Sequence, residues 1–587
     1  MKYLSATMPG RLVRLTSQAL WLVGLLLGGG LMAPAAQAQA PIWQSVQAMD
    51  GRRFITSSIT GPGGFVFMVG TFTGTANFGA TQLTSANISN DIFVAKWSPT
   101  TRTFVWAQRA GGVLSDEAVG VAVQGANVYV TGSFASPTAD FGPVTLTNAN
   151  TSTVGGTSDA FLTKLVDAGS TSSFAWTQRF GGGNIEFGNA VDAVGNSVYV
   201  CGTFRSPSIA FGSTTLVNAG VDNAFVAKLT DAGATSSFVW AQQAGGTSID
   251  GAETLAVSGG SVYVGGHFYS PTATFGALTL VNAAANSSEG FVAKLTDAGT
   301  SAAFTWALPI TGNADEQVIA LKASGSNVYL TGAFTSPTAT LGGHTLTYAG
   351  TGGSISANSF VAKASDTGPT GSFVWAQQPS GSAGFLALAL NGQSIYAAGL
   401  FSGVVRFGTT TLSTSQGSSD ICVAKLTDAG ATGSFVWVQQ AGGGADDKGY
   451  SLSLSGTSIC LGGLVGGPGP STFGSLSLNN PSGPPMGFVA TLTDPTLTAT
   501  TGPRAALAFD LYPNPAPGNA IVQLPPVPGA TQATIELKDA LGRTVRTEVI
   551  NLPAAGLRHP LAGLPAGVYA ITVEAGNYTA TRRLVIE

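Results

Sequence analysis

Charge is what this 587-residue chain has least of. Asp, Glu, Lys and Arg together make up 9% of it, the formal net charge is −4, and no block of Lys and Arg occurs. Phosphate binding needs a basic surface, so nucleic acid is not expected as a partner. Cysteine is scarcer still. Cys201, Cys422 and Cys460 are odd in number and widely spaced, which suits neither a disulfide framework nor a zinc site. Each falls in a predicted strand, where a free thiol serves as a small apolar filler; a Cys422–Cys460 bridge is the alternative in an oxidising compartment. His267, His344 and His559 stand apart, which gives a histidine triad or metal centre little support. No Ser occupies a G-x-S-x-G elbow. These absences point away from an enzyme, and no cofactor is required.

Glycine is abundant by contrast, at 80 residues, and 44% of the chain is hydrophobic, well above what a disordered segment carries. Such a composition, rich also in Ser, Thr and β-branched residues, favours short strands and tight turns. The length exceeds one ordinary core, so several domains or a repeat array are expected. The stretch from Phe225 to Gly246, FVAKLTDAGATSSFVWAQQAGG, shows the array directly. It returns almost unchanged from Phe291 to Ala307 and from Ile421 to Gly443, with looser copies starting at Phe93, Phe161 and Phe360.

Four landmarks recur in fixed order. Tryptophans fall at Trp43, Trp106, Trp176, Trp240, Trp306, Trp375 and Trp437. A VYVxGxF-like run starts at Val66, Val128, Val198, Val262, Val328, Ile395 and Ile459. A Phe-Gly pair begins at Phe78, Phe141, Phe211, Phe275, Phe407 and Phe473, with Leu341-Gly342 in the remaining copy. The FVAK strand lies at Phe93, Phe161, Phe225, Phe291, Phe360, Cys422 and Phe488. Each unit thus holds four strand-like runs, in the fourth Glu253–Ser258, Ser261–His267, Gly290–Thr296 and Phe304–Leu308, with Thr272–Asn282 read as an extra hairpin or ordered loop.

Runs apolar on both alternating faces are strands covered on both sides. Four-stranded sheets packed about an axis make a β-propeller. The expected fold is therefore all-β: a seven-bladed propeller of four-stranded blades over residues 39–494. The first copy opens on its Trp strand and the last ends on its FVAK-type strand. Ile42–Gln47 is thus expected to lie antiparallel to Phe488–Thr493, closing the ring and removing an exposed edge. A parallel β-helix is the runner-up, but its repeats are shorter. The layout resembles a bacterial β-propeller repeat family of secreted proteins, which implies architecture only.

The two ends of the chain carry addresses. Residues 1–38 read as a signal peptide, with Lys2, Arg11 and Arg14 before the apolar run Ala19–Leu31 and a cleavage site at Ala36-Gln37-Ala38. That run falls short of the ~20 residues a membrane span needs, so no span is expected after cleavage. Residues 495–508 read as a linker. Residues 509–587 alternate as in a small antiparallel β-sandwich. Within them Leu511 and the run Tyr512-Pro513-Asn514-Pro515, Asp539 to Arg543 around Gly542, Gly567 with Tyr569, and the terminal Arg582 to Ile586 resemble the type A sorting domain of the type IX secretion system. That resemblance implies passage through the type IX machinery, removal of the tail, and a body either released or attached to surface lipopolysaccharide. A monomer is expected.

The best candidate site is acidic. Between each Trp strand and the next innermost strand lie Asp50, Asp116 with Glu117, Glu186, Asp250 with Glu253, Asp315 with Glu316, and Asp446 with Asp447. At a propeller's channel mouth such a ring could bind Ca²⁺ or the cationic part of a ligand; alternatively each carboxylate caps its own Gly-rich turn. The doublets Asp116/Glu117, Asp315/Glu316 and Asp446/Asp447 are the residues to favour if the ring binds anything. A second acidic position, Asp91, Asp159, Asp222, Glu289 and Asp420, is expected at turns or strand edges. Lys96, Lys164, Lys228, Lys294, Lys363 and Lys425 are expected to project outward and protect edges. The tryptophans are expected in blade packing rather than as carbohydrate platforms. An exported scaffold binding an extracellular polysaccharide or other surface macromolecule follows. A carbohydrate-active hydrolase or lyase using the acidic loops and a purely structural envelope protein are the alternatives.

Overall fold

The computed structural model describes residues 41–49, 52–150, 156–284, 286–350, 357–415, 419–481, 483–497, 505–506, 509–524, 532–539, 543–552, 557–575 and 578–587. The signal peptide, Asp50 and Gly542 lie outside them. Among the described residues the structure is all-β, with no α-helix. Seven units each build an antiparallel four-stranded sheet; that of unit four comprises Asp250–Ser258, Ser261–Phe268, Glu289–Asp297 and Ala302–Thr311. The segment between its second and third strands is the extra hairpin, Thr272–Phe275 with Leu278–Val281, which pairs with the outer strand of unit three. Hairpins of units five and seven do the same to the sheets before them, each pairing with two residues at the end of the outer strand.

The landmarks now have physical causes. Each first strand carries a one-residue bulge, at Thr56, Val119, Asn189, Glu253, Ile319, Leu386 and Tyr450. Opposite it sits the glycine of the VYVxGxF run. A Cβ at Gly202 would stand 1.9 Å from the Phe187 carbonyl oxygen, so only glycine fits. The Phe of the Phe-Gly pair packs on the Phe of the FVAK strand, as Phe275 on Phe291 with ring centroids 4.8 Å apart.

The closing strand pairs as the phase of the array requires. Ile42–Ala48 runs antiparallel to Met486–Thr493, with Ile42 opposite Thr493 and Ala48 opposite Phe488. The first strand of each unit also lies against that of the next, and Lys448–Ser455 of unit seven lies against Arg52–Thr60 of unit one. Apolar layers fill the space between neighbouring sheets, including one that joins Cys460 and Val489 of unit seven to Ile55 and Met68 of unit one. All three cysteines are free and buried. Cys422 and Cys460 belong to different layers, so the bridge between them is not made.

Two expectations fail. The repeated lysines do not point outward: Lys96, Lys164, Lys228, Lys294, Lys363 and Lys425 are buried. Each crosses to the next unit and binds an aspartate there, respectively Asp167, Asp231, Asp297, Asp366, Asp428 and Asp494, at 2.6–2.9 Å. In sheets covered on both faces a lysine has no outward side, and burying it requires a paired charge. The aspartate takes more than the lysine. Trp240 Nε1 donates to Asp297 at 3.0 Å, the Tyr199 hydroxyl at 2.7 Å and the Gly299 N–H at 2.9 Å. Trp106, Trp176, Trp306 and Trp375 donate likewise, so these tryptophans are structural. The KLTDAG run is therefore half of a clasp between neighbours.

The second failure is Trp43. It sits opposite Leu492 and edge-on to Phe473, which is the place of Phe238 and its fellows; Ser45, opposite Thr491, holds the place of the periodic tryptophan. At this junction every member of the clasp is exchanged. Ser45 stands for the Trp, Thr491 for the Lys and Cys460 for the Tyr, while Pro99 of unit one stands for the Asp. Ser45 and Thr491 hydroxyls bond each other at 2.6 Å. A smaller departure concerns the linker: Ala505–Ala506 pairs parallel with Tyr578–Ile586, and Leu497 is buried with unit seven.

Residues 509–587 form two sheets over one apolar core. Tyr578–Ile586, Gly567–Ala575, Gln532–Lys538 and Thr544–Asn551 lie in one, and Asp510–Tyr512, Ala520–Leu524 and Leu557–Leu561 in the other.

Replacing Lys228 by Ala strands the Asp297 carboxylate in the interior and is expected to lower the unfolding free energy by about 3–5 kcal/mol. Adding Asp297→Ala should cost less than the sum of the two single changes, a coupling that a denaturant-melt double-mutant cycle measures. Additive losses would mean the pair is not coupled.

Candidate functional site

The acidic loops precede the first strands. In units two, three, four and seven a buried carboxylate accepts the N–H of a glycine four residues back and groups at the end of the second strand. Asp116 takes Gly112 N–H at 2.6 Å and the Ser136 hydroxyl at 2.8 Å. Glu186 takes Gly182 and Ser206 N–H at 2.7 and 2.9 Å. Asp250 and Asp447 repeat the arrangement on Gly246 and Gly443, each at 2.6 Å. Unit six, which lacks the acid, runs its strands on instead as Ser380–Asn391 and Ser394–Phe407.

The doublets do not converge as pairs. In each, one member is buried, as a staple at Asp116 and Asp447 and as a carboxylate without a hydrogen-bond partner at Glu316, and the other stays at the surface (Glu117, Asp315, Asp446). Asp446 accepts the Ser419 N–H at 3.0 Å and its hydroxyl at 2.8 Å. Burial pushes Asp116 and Asp447 up to about 6 against the pull of their hydrogen bonds, and Glu316 up to about 7. Among the described residues no group of three or more His, Cys, Asp or Glu is placed to hold a metal ion. The second acidic position is also tied down: Asp159 to Arg179 at 2.5 Å, Asp222 to Arg205 at 2.7 Å and Asp420 to Gln440 at 2.6 Å, with Asp91 on Arg109.

The junction of units four and five departs from the repeat in its polar side chains. Between units four and five a recess of about 290 Å³ is lined by His267, Tyr269, Ser288, Asp315, Gln317 and Thr335, among others. At the place of His267 the other units carry Thr71, Ser133, Thr203, Ala333, Leu400 and Leu464; at that of Tyr269, Thr73, Ala135, Arg205, Thr335, Ser402 and Gly466. The bulged residue is Glu253 here and no carboxylate elsewhere. His267 Nδ1 stands 3.4 Å from Glu253 Oε1 without making a hydrogen bond to it. Burial raises the Glu253 carboxyl, opposed by His267, and its side chain keeps 34% exposure. His267 and Tyr269 rings meet edge-on, 5.9 Å apart. Ser288 donates its N–H and hydroxyl to Asp315 Oδ1 at 2.9 and 3.2 Å. Sequence reasoning reached Asp315 and passed over His267 and Tyr269. The signal was their departure from the other units at the same position.

In the tail, Asn514 of the Tyr-Pro-Asn-Pro run grips the terminal strand: its Nδ2 donates to the Arg583 carbonyl at 2.7 Å and its Oδ1 accepts the Val585 N–H at 3.0 Å. The Tyr512 hydroxyl donates to Gln523 at 2.9 Å. Gly567 opens the strand carrying Tyr569, whose hydroxyl donates to the Pro565 carbonyl at 2.8 Å. These residues hold the two halves of the motif together.

This all-β chain thus ends in a self-contained address domain. Residues 510–587 match the family described as the secretion system C-terminal sorting domain. The protein is exported through type IX secretion to the cell surface or beyond it. Among the described residues no helix is long and apolar enough to cross a membrane. No curated protein matches the chain. Two solved structures share 8% and 9% identity, at TM-scores of 0.18 and 0.14. They are described as the extracellular domain of a hybrid two component system and of a one component system from B. thetaiotaomicron, and cover 93% of this chain and 99% and 98% of their own. Likeness at these scores carries nothing about fold or ligand.

The two sets of carboxylates give opposite pH dependences. Staples with folded pKa values above the unfolded ~4 contribute most below that value, and the contribution is lost as pH rises through about 6 to 7. In the clasps, burial works against the charge, but hydrogen bonds from Lys294, Tyr263, Gly368 and Trp306 overcome it and draw Asp366 down to about 2. Their contribution is present above ~4 and lost as pH falls toward about 2. Thermal midpoints are therefore expected to fall from pH 5 to pH 7.5 and again below pH 4. Glu316→Gln should flatten the upper fall by on the order of 2–3 kcal/mol; an unchanged slope would refute the assignment.

Proposed function

We propose that the seven units stand around one axis as a seven-bladed β-propeller, sealed by Ile42–Ala48, with a small β-sandwich as the sorting tail. The unbroken succession of first strands, returning from unit seven to unit one, supports this. The propeller serves as an exported scaffold that binds a polysaccharide or comparable surface macromolecule and leaves it chemically unchanged. One observation carries that reading: on a chain sent outside the cell, the recess between units four and five gathers a histidine, a tyrosine and a surface carboxylate, of which the first two have no counterpart in the other units. In repeat proteins recurring residues serve stacking, and a residue that departs from its counterparts is free to serve a ligand.

Saturable binding of the exported protein to a panel of extracellular polysaccharides is expected, with no new reducing ends or unsaturated products. Turnover would favour the hydrolase or lyase, and a complete lack of binding the structural envelope protein. Deleting residues 509–587 is expected to leave the protein in the periplasm, as cell fractionation would show; normal surface delivery would overturn the role of the tail.

A further inference from the structure

We infer that the recess between units four and five is a binding subsite for a neutral sugar ring, with Tyr269 as its apolar platform and Asp315, Gln317 and Thr335 as its hydroxyl partners. This rests on the polysaccharide-binding reading and gives it an address and a ligand class.

Size comes first. A volume of about 290 Å³ lies at the small end of ligand pockets, roughly 300–1,000 Å³. The space suits one ring of a chain rather than a long segment. The lining comes next. Asp315 and Gln317 are exposed at the start of the first strand of unit five, and Tyr269 and Thr335 are half-buried beyond the second strands of units four and five. Tyr presents an apolar ring face with a polar tip, which matches the alternation of C–H faces and hydroxyl rims on a sugar. A carboxylate accepts about four hydrogen bonds, and Ser288 uses two on Asp315, both on Oδ1. The side-chain amide of Gln317 supplies both donors and an acceptor.

Charge then selects among sugars. No lysine or arginine lines the recess, while Asp315 lies in it and Glu253 stands behind His267. The buried Glu289 and Glu316 flank the same loops. A uronate, sulfate or phosphate would meet carboxylates with no lysine or arginine to offset them, so anionic polymers are disfavoured.

The test uses the full chain and calorimetric titration with cello-, malto- and xylo-oligosaccharides, with oligogalacturonate as the anionic probe. At least one neutral series should bind, oligogalacturonate should not, and Tyr269→Ala, Asp315→Asn and Gln317→Ala should each weaken binding at least tenfold. Asp140→Asn, exposed on the hairpin of unit two, should leave it unchanged. Gln317 is exposed, so its variant reports on the recess even where Tyr269→Ala disturbs folding. Neutral-sugar binding that none of the three variants alters, or tighter binding of oligogalacturonate, would overturn the subsite and leave the scaffold reading standing. Absence of binding to every polysaccharide of the wider panel would overturn both.

Discussion

The buried pair of a lysine in one unit and an aspartate in the next is what the stacked array depends on. Taking two charges out of water is expensive, and attraction alone does not guarantee a net gain. Here every lone pair has a use. At Asp297, Lys228 and Tyr199 meet one carboxylate oxygen, and Trp240 and the Gly299 N–H the other, while Lys228 also reaches the Gly299 carbonyl at 3.1 Å. Gly299 turns with φ of 93°, a conformation that glycine adopts without strain. The arrangement forms only when neighbouring sheets meet in one register, so it specifies the order of stacking as well as holding it. In a chain with so few charges, that is where many of them go.

The junction of unit seven with unit one shows the same rule from the other side. Removing one partner of a buried pair leaves an uncompensated charge, whereas replacing the whole set by small neutral groups avoids it. Ser45, Thr491, Cys460 and Pro99 are such a replacement, made in both sheets at once. Between them a recess of about 310 Å³ opens beside Ser45, Gln47, Arg102 and Leu476. Lys96, at the next junction, keeps its aspartate but meets Phe67 in place of tyrosine, and sits 4.2 Å over the ring of Phe65.

Much of this was legible beforehand. Periodicity located the units, their four strands and the partner of the first strand, because local pattern and turn chemistry agree at each of those positions. The clasp was not legible: the strands read as covered on both faces, yet the lysines were assigned to edges, and nothing local in the pattern ties Lys228 to Asp297 a full repeat away. Trp43 misled for a different reason. The closing strand keeps the bulge of the other units, but its own sequence puts the tryptophan at the phenylalanine's place and Ser45 at the tryptophan's, two residues on. The alternative of turn caps for the acidic loops matches Asp116 and Asp447, but not the unpartnered Glu316. What the recurrence concealed was His267, which looks isolated in sequence and is set apart only against its counterparts.

Clasp and recess are mechanically one device. Tyr263 and His267 share the strand Ser261–Phe268: the first is bonded to Asp366 at 2.7 Å, the second faces the recess four residues on. Lys294 and Trp306 bind the same Asp366, which fixes unit four against unit five at one end of their common apolar layer. At the other end Ser336 takes the loop N–H groups of Asn313 and Ala314 at 2.8 and 2.7 Å, just before Asp315. Both walls of the recess are therefore set before any ligand arrives. A ligand site so held would lose little freedom on binding, which is what the proposed discrimination between sugars that differ by one charge requires.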